Sequence, residues 1–198
     1  MKNLIGLIFI VLLMANCDDK PASVPGGIDL SAYETKAIKG SEAFYAVKKG
    51  TAGNILEEGM IVTGLQDGTW VTYWPDGDDM NKIKTVTSFV DGTINGPYME
   101  FNNRGQIEKR VAYVNNQYHG LYSEYKFGRP IKEYMYSDGI LDGVSKEYSD
   151  RGKITRETGY KAGKIHGEYK QYDEEGNVVL EYEYKNGEKI SGGIVTNE

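Results

Sequence analysis

His166–Ile190 reads HGEYKQYDEEGNVVLEYEYKNGEKI, and this one stretch already has the form of a β-hairpin. His-Gly opens it, a run rich in Tyr and Lys leads to Glu175-Gly176, and a β-forming run from Val178 to Lys185 leads to Asn186-Gly187. Short apolar-polar runs bounded by Gly, Asn and Asp read as antiparallel strands joined at reversals. A tight reversal needs positive φ, which Gly adopts without steric penalty and Asn tolerates.

The same order of residues recurs upstream. Asp142–Ile165 is DGVSKEYSDRGKITRETGYKAGKI, His119–Leu141 is HGLYSEYKFGRPIKEYMYSDGIL, Asn95–Tyr118 is NGPYMEFNNRGQIEKRVAYVNNQY, and Asp67–Ile94 is DGTWVTYWPDGDDMNKIKTVTSFVDGTI. Three marks keep step through these units: Gly68, Gly96, Gly120, Gly143 and Gly167; then Gly77, Gly105, Gly128, Gly152 and Gly176; then Gly92, Asn116, Gly139, Gly163 and Gly187. All three read as turns. Self-similarity at a fixed period of this size signals a repeat array in which each unit packs on its neighbours.

The aromatic residues obey the same register. Trp70, Tyr98, Tyr122 and Tyr169 form one column, interrupted by Ser145. Tyr73, Phe101, Tyr125, Tyr148 and Tyr172 form a second, and Phe89, Tyr113, Tyr136, Tyr160 and Tyr184 a third. Stacked units align each column into a ladder of cross-strand neighbours. The first two columns lie three residues apart, an odd spacing that puts them on opposite faces of a strand. A single-layer sheet has no second layer to cover both faces, so the rings of these two columns are the candidate binding surface.

The pattern Gly-x-aromatic-x-x-aromatic, followed by a Gly turn and a β-rich run, resembles the MORN repeat, in the bacterial variant identified with YwqK-family antitoxins. The resemblance covers about residues 59 to 196 and departs from the pattern at Ser145 and at the longer first unit. It implies an all-β fold, an elongated single-layer antiparallel sheet of successive hairpins.

At the other end, Lys2 precedes an apolar run, LIGLIFIVLL (Leu4–Leu13), and Ala15-Asn16-Cys17 follows. The run is short for a bilayer span and has the layout of a signal peptide. LMANC resembles a lipobox, which implies cleavage before Cys17 and lipidation of its thiol, anchoring the chain to a membrane. The sequence then divides into a lipoprotein signal peptide (1–16), a lipidated Cys with a flexible tether (17–42), an opening hairpin and cap (43–66), and five repeats with a partial sixth (67–198). Ala43–Lys48 and Ile55–Thr63 are the strands expected of the opening hairpin, and Ile28–Lys39 reads as a short helix or as linker. Asp18 and Asp19 resemble sorting signals that act oppositely in different bacteria; the expected location is the bacterial cell envelope, at the outer membrane or cell surface rather than the inner membrane.

Composition limits the function. There are 23 Lys and Arg against 29 Asp and Glu, which disfavours nucleic acid as partner. The single Cys leaves no intramolecular disulfide and no Cys-based zinc site. His119 and His166 fall in a slot filled by Asn95 and Asp142 in sister units, so they read as turn residues and not as acid/base groups. Glu133, Glu157 and Glu181 form a column that reads as a solvated stripe, with a weak Ca²⁺ site conceivable along it. No nucleophile elbow, phosphate loop or metal motif is present, so the chain reads as a binding protein without catalytic residues, cofactor or metal. The expected function is a membrane-anchored interaction module for a protein or glycan of the envelope. The alternative implied by the resemblance is an antitoxin or immunity-type protein that neutralises a toxin by direct binding. A third reading makes the sheet a rigid spacer or an edge-to-edge oligomer.

Overall fold

Where this chain reverses is set by pairs of residues in the left-handed region. A computed structural model describes residues 27–196; the signal peptide, Cys17 and the first part of the tether lie outside them. The strands are β1 Glu34–Ala37, β2 Ala43–Lys49, β3 Ile55–Val62, β4 Leu65–Tyr73, β5 Ile83–Val90, β6 Thr93–Phe101, β7 Ile107–Val114 and β8 Gln117–Lys126. They continue as β9 Arg129–Ser137, β10 Ile140–Leu141, β11 Gly143–Tyr148, β12 Ile154–Lys161, β13 Lys164–Tyr172, β14 Val178–Lys185 and β15 Glu188–Ile194. All 15 belong to one antiparallel sheet that follows chain order and does not close; β9 pairs with both β10 and β11. At ~4.8 Å between strands the ribbon is about 60 Å long. Among the described residues no helix is long and apolar enough to cross a membrane.

Along one margin every reversal after the five-residue 38–42 turn between β1 and β2 takes two residues. Thr63-Gly64, Asp91-Gly92, Asn115-Asn116, Asp138-Gly139, Ala162-Gly163 and Asn186-Gly187 all have positive φ at both positions, as at Asp138 (+50°) and Gly139 (+79°). These are the primed turns whose twist matches that of the flanking strands. Along the other margin the reversals are longer (74–82, 102–106, 149–153, 173–177), except for the two-residue Phe127-Gly128.

The first of the three Gly marks is not a turn. Gly68, Gly96, Gly120 and Gly167 lie inside β4, β6, β8 and β13, with Gly143 opening β11, and all have positive φ. At each of the four that lie within a strand, three residues face one across the ladder: Thr87 pairs with Tyr98 and Phe89 with Ile94, leaving only Ser88 opposite residues 95 to 97. The same step recurs between β3 and β4, β7 and β8, and β12 and β13. His166 therefore lies in a bulge and His119, paired with Ala112, directly before one, both within strands, which corrects the expectation that they sit in turns. A bulge of this kind bends the strand and frees the residue before Gly to point along the margin.

That freed residue ties successive hairpins together. The Asp67 carboxylate accepts from the Asp91 N–H (3.3 Å) and the Asp142 carboxylate from the Ala162 N–H (3.1 Å). His166 Nδ1 accepts from the Asn186 N–H (3.4 Å), and His119 Nδ1 lies 3.3 Å from the Asp138 carboxylate. In the remaining unit the bond runs backwards, from the Ile94 N–H to the side chain of Asn116. Beside each of these, the N–H of the second turn residue donates to a neighbouring strand: Gly92 to Gln66, Asn116 to Ile94, Gly139 to Tyr118, Gly163 to Leu141 and Gly187 to Ile165, all at 2.8–2.9 Å. Turn amides that a lone hairpin leaves to water are thereby paired inside the array.

The chain is thickest at its start. Ile28 N–H donates to Gly64 O, Leu30–Ala32 forms one 3₁₀ turn, and Ile28, Leu30 and Tyr33 pack with Phe89 against Ala46, Ile61 and Trp70. Residues 28–37 are thus a cap and the first strand, whereas the sequence places them in the tether; no periodic pattern announces them. The opening hairpin of β2 and β3 forms where the sequence predicts it. Trp70 is 2% exposed and donates from Nε1 to Met60 O (2.9 Å). It reaches that position because Gly59 has no side chain, and a Cβ there would lie 2.4 Å from the indole.

Two stability predictions follow from this packing. Gly59→Ala forces Trp70 out of place and lowers stability by about 1–3 kcal/mol in urea unfolding. Asp142→Ala deletes one tie between hairpins and lowers it by roughly 1 kcal/mol; no change in the Asp142→Ala midpoint would mean that these ties contribute nothing.

Candidate functional site

Two faces of the sheet carry rings, and cross-strand register sorts them. The first and third columns share one face, because Tyr98 pairs with Val111 and Thr158 with Tyr169, which puts Tyr113 and Tyr160, two residues on, beside them. The second column lies on the opposite face, as the odd spacing requires.

On the first face six rings form an unbroken cluster over β6 to β9. Tyr98 meets Tyr113 at 5.9 Å, Tyr113 meets Tyr118 at 5.0 Å, Tyr118 meets Tyr122 at 5.5 Å and Tyr136 at 5.3 Å, and Tyr122 meets Tyr134 at 6.1 Å. Most of these contacts are edge-to-face, the arrangement the ring quadrupole favours. The Lys109 ammonium stands 5.5 Å from the centroids of Tyr98, Tyr118 and Tyr122 alike. Tyr122 donates its hydroxyl to Glu124 (2.6 Å), and Tyr98 donates to Glu100 (3.3 Å). Burial first, then the carboxylate, pushes the Tyr98 phenol up to about 12, and Tyr122 moves in the same direction. All six are half-buried.

The cluster stops at Ser145 and Thr158, paired and both nearly buried (4% and 6% exposed). Past that break Tyr169, Tyr182 and Tyr184 form a second group at 6.1–6.2 Å, with Lys189 over Tyr182 at 4.5 Å. Tyr98, Tyr122 and Tyr169 thus stand where the sequence puts them, half-buried on one face. Trp70, from the same column, belongs to the core beneath Tyr33 and Phe89 and is not accessible, which corrects its place in the candidate surface.

On the opposite face each ring of the second column faces an aliphatic partner across the wider turn: Tyr73 with Ile83, Phe101 with Ile107, Tyr125 with Pro130, Tyr148 with Ile154 and Tyr172 with Val178. This partner column is periodic in the sequence but has no ring to mark it, and the sequence reading missed it. Three hydroxyls reach back to a glutamate on the preceding strand: Tyr73 to Glu58 (2.5 Å), Tyr148 to Glu133 (2.6 Å) and Tyr172 to Glu157 (2.6 Å). Where that acceptor position holds Val86, the ring is Phe101, which has no hydroxyl to place. Of the predicted glutamate stripe, Glu133 and Glu157 are phenol acceptors and Glu181 is not, and cations interleave with it: Lys146 lies 3.3 Å from Glu157 and Lys170 3.4 Å from Glu181. Among the described residues no group of three or more His, Cys, Asp or Glu could hold a metal ion.

Residues 141–162 and 165–186 match the family model described as MORN repeat variant. These are the last two complete periods, and the three before them follow the same strand, bulge and turn plan. No curated protein matches. Among solved structures the chain is similar to a Staphylococcus aureus TarM mutant crystallised with fondaparinux, α-GlcNAc-glycerol and UDP, at 12% identity, over 49% of this chain and 20% of that one. The TM-score of 0.34 is too low for that likeness to bear on fold or function.

The phenol–carboxylate bonds predict a pH dependence. The Tyr172 hydroxyl first, then Lys146, holds the Glu157 carboxyl below its ordinary range, so this bond stabilises above the unfolded carboxyl range and is lost as pH falls through the folded value. Tyr172 is raised to about 12 by burial and by Glu157, so its share is lost only as pH rises through about 12. Tyr172→Phe should cost roughly 1 kcal/mol at pH 7, the bond being partly exposed, and the gap from the parent should close toward pH 3. Parallel urea-unfolding curves for the two at every pH would contradict the assignment.

Proposed function

We propose that this chain is an interaction module of the bacterial envelope, held to a membrane by a lipidated Cys17, whose half-buried tyrosine face recognises a protein or a glycan. The observation that supports it is the unbroken six-ring cluster from Tyr98 to Tyr136, which the N-terminal cap leaves uncovered. Phenol rings suit recognition because each offers a large area with little rotamer entropy to lose, and a polar atom at its edge. Lys109, Glu100 and Glu124 add both signs of charge within that cluster. The same surface would serve an antitoxin, with a toxin as its partner; rescue of growth on co-expression with a neighbouring toxin gene distinguishes that case.

Ser145 stands where Tyr122 does and faces Thr158 where Tyr122 faces Tyr134, so small hydroxyl residues are accommodated at both positions. The double variant Tyr122→Ser, Tyr134→Ser should keep its far-UV spectrum while partner recovery in a crosslinking pull-down falls at least about tenfold, as loss of aromatic anchors does. Undiminished recovery would remove the tyrosine face from the account.

A further inference from the structure

The first unit shows what the ring columns accept. Trp70 and Phe89 meet edge-to-face at 6.4 Å and 75°, and Tyr98 and Tyr113 repeat that pair one hairpin on, at 5.9 Å and 77°. Cross-strand register puts Trp70 and Tyr98 on either side of Thr87, in one column. The two ring pairs differ in what lies over them. On Trp70 lies the chain's own segment 28–33: Ile28, Leu30 and Tyr33 pack against Ala46, Ile61 and Trp70, with Tyr33 edge-on to the indole at 6.0 Å. Among the described residues no second segment of this kind lies over the cluster from Tyr98 to Tyr136.

Three kinds of contact seat the docked segment. Two aliphatic side chains and one ring meet the ring column, and the Ile28 N–H donates to the carbonyl of Gly64 (3.2 Å), the second residue of a two-residue turn. The Tyr33 hydroxyl donates to Glu57 (2.6 Å), and the Lys48 ammonium, 3.2 Å from the same carboxylate, stands 5.7 Å from the centre of the Tyr33 ring. Each has a counterpart beside the open cluster. Gly92 and Asn116 hold the place of Gly64 in the next two turns of that margin. One cross-strand row runs from Lys48 and Glu57, by way of Thr72 and Thr85, to Glu100, Lys109 and Glu124. The lysine–glutamate pair that holds Tyr33 therefore recurs among the tyrosines. Glu100 and Glu124 already accept from Tyr98 and Tyr122, and a carboxylate has lone pairs for a further donor.

We infer, on the reading that the tyrosine face is the recognition surface, that its partner is a polypeptide: a short segment with two aliphatic side chains and one tyrosine lies across Tyr98 to Tyr136 as residues 28–33 lie across Trp70. A glycan fits less well. The hydroxyls of Tyr98 and Tyr122, which would bind sugar hydroxyls, are engaged by carboxylates within the face. What these rings offer outward is apolar area, the complement of aliphatic and aromatic side chains.

The probe is a fluorescent peptide with the sequence of residues 27–37, GIDLSAYETKA, titrated onto the full chain in detergent and followed by anisotropy. It should bind saturably, and the same peptide carrying Leu30→Ser and Tyr33→Ala should bind at least about tenfold more weakly. In the full chain, Tyr122→Ser with Tyr134→Ser should weaken binding of the parent peptide at least about tenfold. Lys109→Ala, which leaves every ring in place, should weaken it about threefold, as loss of a cation–π contact does. Binding that survives the tyrosine double variant would mean that the peptide only exchanges with the cap on Trp70, and would overturn the inference. So would the absence of saturable binding, or displacement of the peptide by neutral cello-oligosaccharides. Loss of the partner from the pull-down of the double variant, together with no peptide binding, would keep the tyrosine face and remove the polypeptide, so the two failures are seen separately.

Discussion

The bond from the second residue of five two-residue turns to the strand of the hairpin before it is the constraint on which the rest depends. A β-hairpin alone is marginal in water, because its turn and its outer edge leave backbone groups to solvent. Here the N–H groups of Gly92, Asn116, Gly139, Gly163 and Gly187 each have a carbonyl of the preceding unit as partner, from Gly92 on Gln66 to Gly187 on Ile165. The bulge makes this possible by letting the earlier strand run past its partner, and the Asp or His before the Gly in four units adds a side-chain tie. Oδ of Asp and Nδ1 of His stand at the same distance from the backbone, which explains why one slot holds either residue, while in the unit with Asn95 the turn residue Asn116 supplies the bond instead. Pairing is local throughout, so stability is close to a sum over neighbouring units.

Such a scaffold has few aliphatic residues to bury, and tyrosine takes over the packing. On one face the rings pack on one another and on Lys109, and on the other each lies against Ile, Val or Pro, three of them with the hydroxyl returned to a glutamate. Charge on the second face is ordered as a result, with alternating Glu and Lys crossing β9 to β14.

How much of this the sequence discloses depends on whether a residue's role repeats. Strand order, the two-residue turns and the sorting of the first and second columns onto opposite faces follow from Gly92, Gly139 and Gly187 and from the odd spacing of Tyr169 and Tyr172. The bulges did not follow, because Asn95-Gly96 and Asp142-Gly143 carry the same left-handed signal whether the chain reverses or merely loops out. Trp70 was misplaced because its column is exposed elsewhere; only Gly59, whose missing Cβ makes room for the indole, hints at burial. Ile28, Leu30 and Tyr33 cap the first unit once and have no counterpart to compare.

The most direct measurement is amide hydrogen exchange at the second turn residues, Gly92, Asn116, Gly139, Gly163 and Gly187. If their N–H groups bond to the neighbouring unit, all five should exchange orders of magnitude more slowly than an open turn amide, at rates close to those of the flanking strands. Exchange at the rate of an exposed turn would mean that the hairpins stand side by side without this tie, and the account of the array would fail.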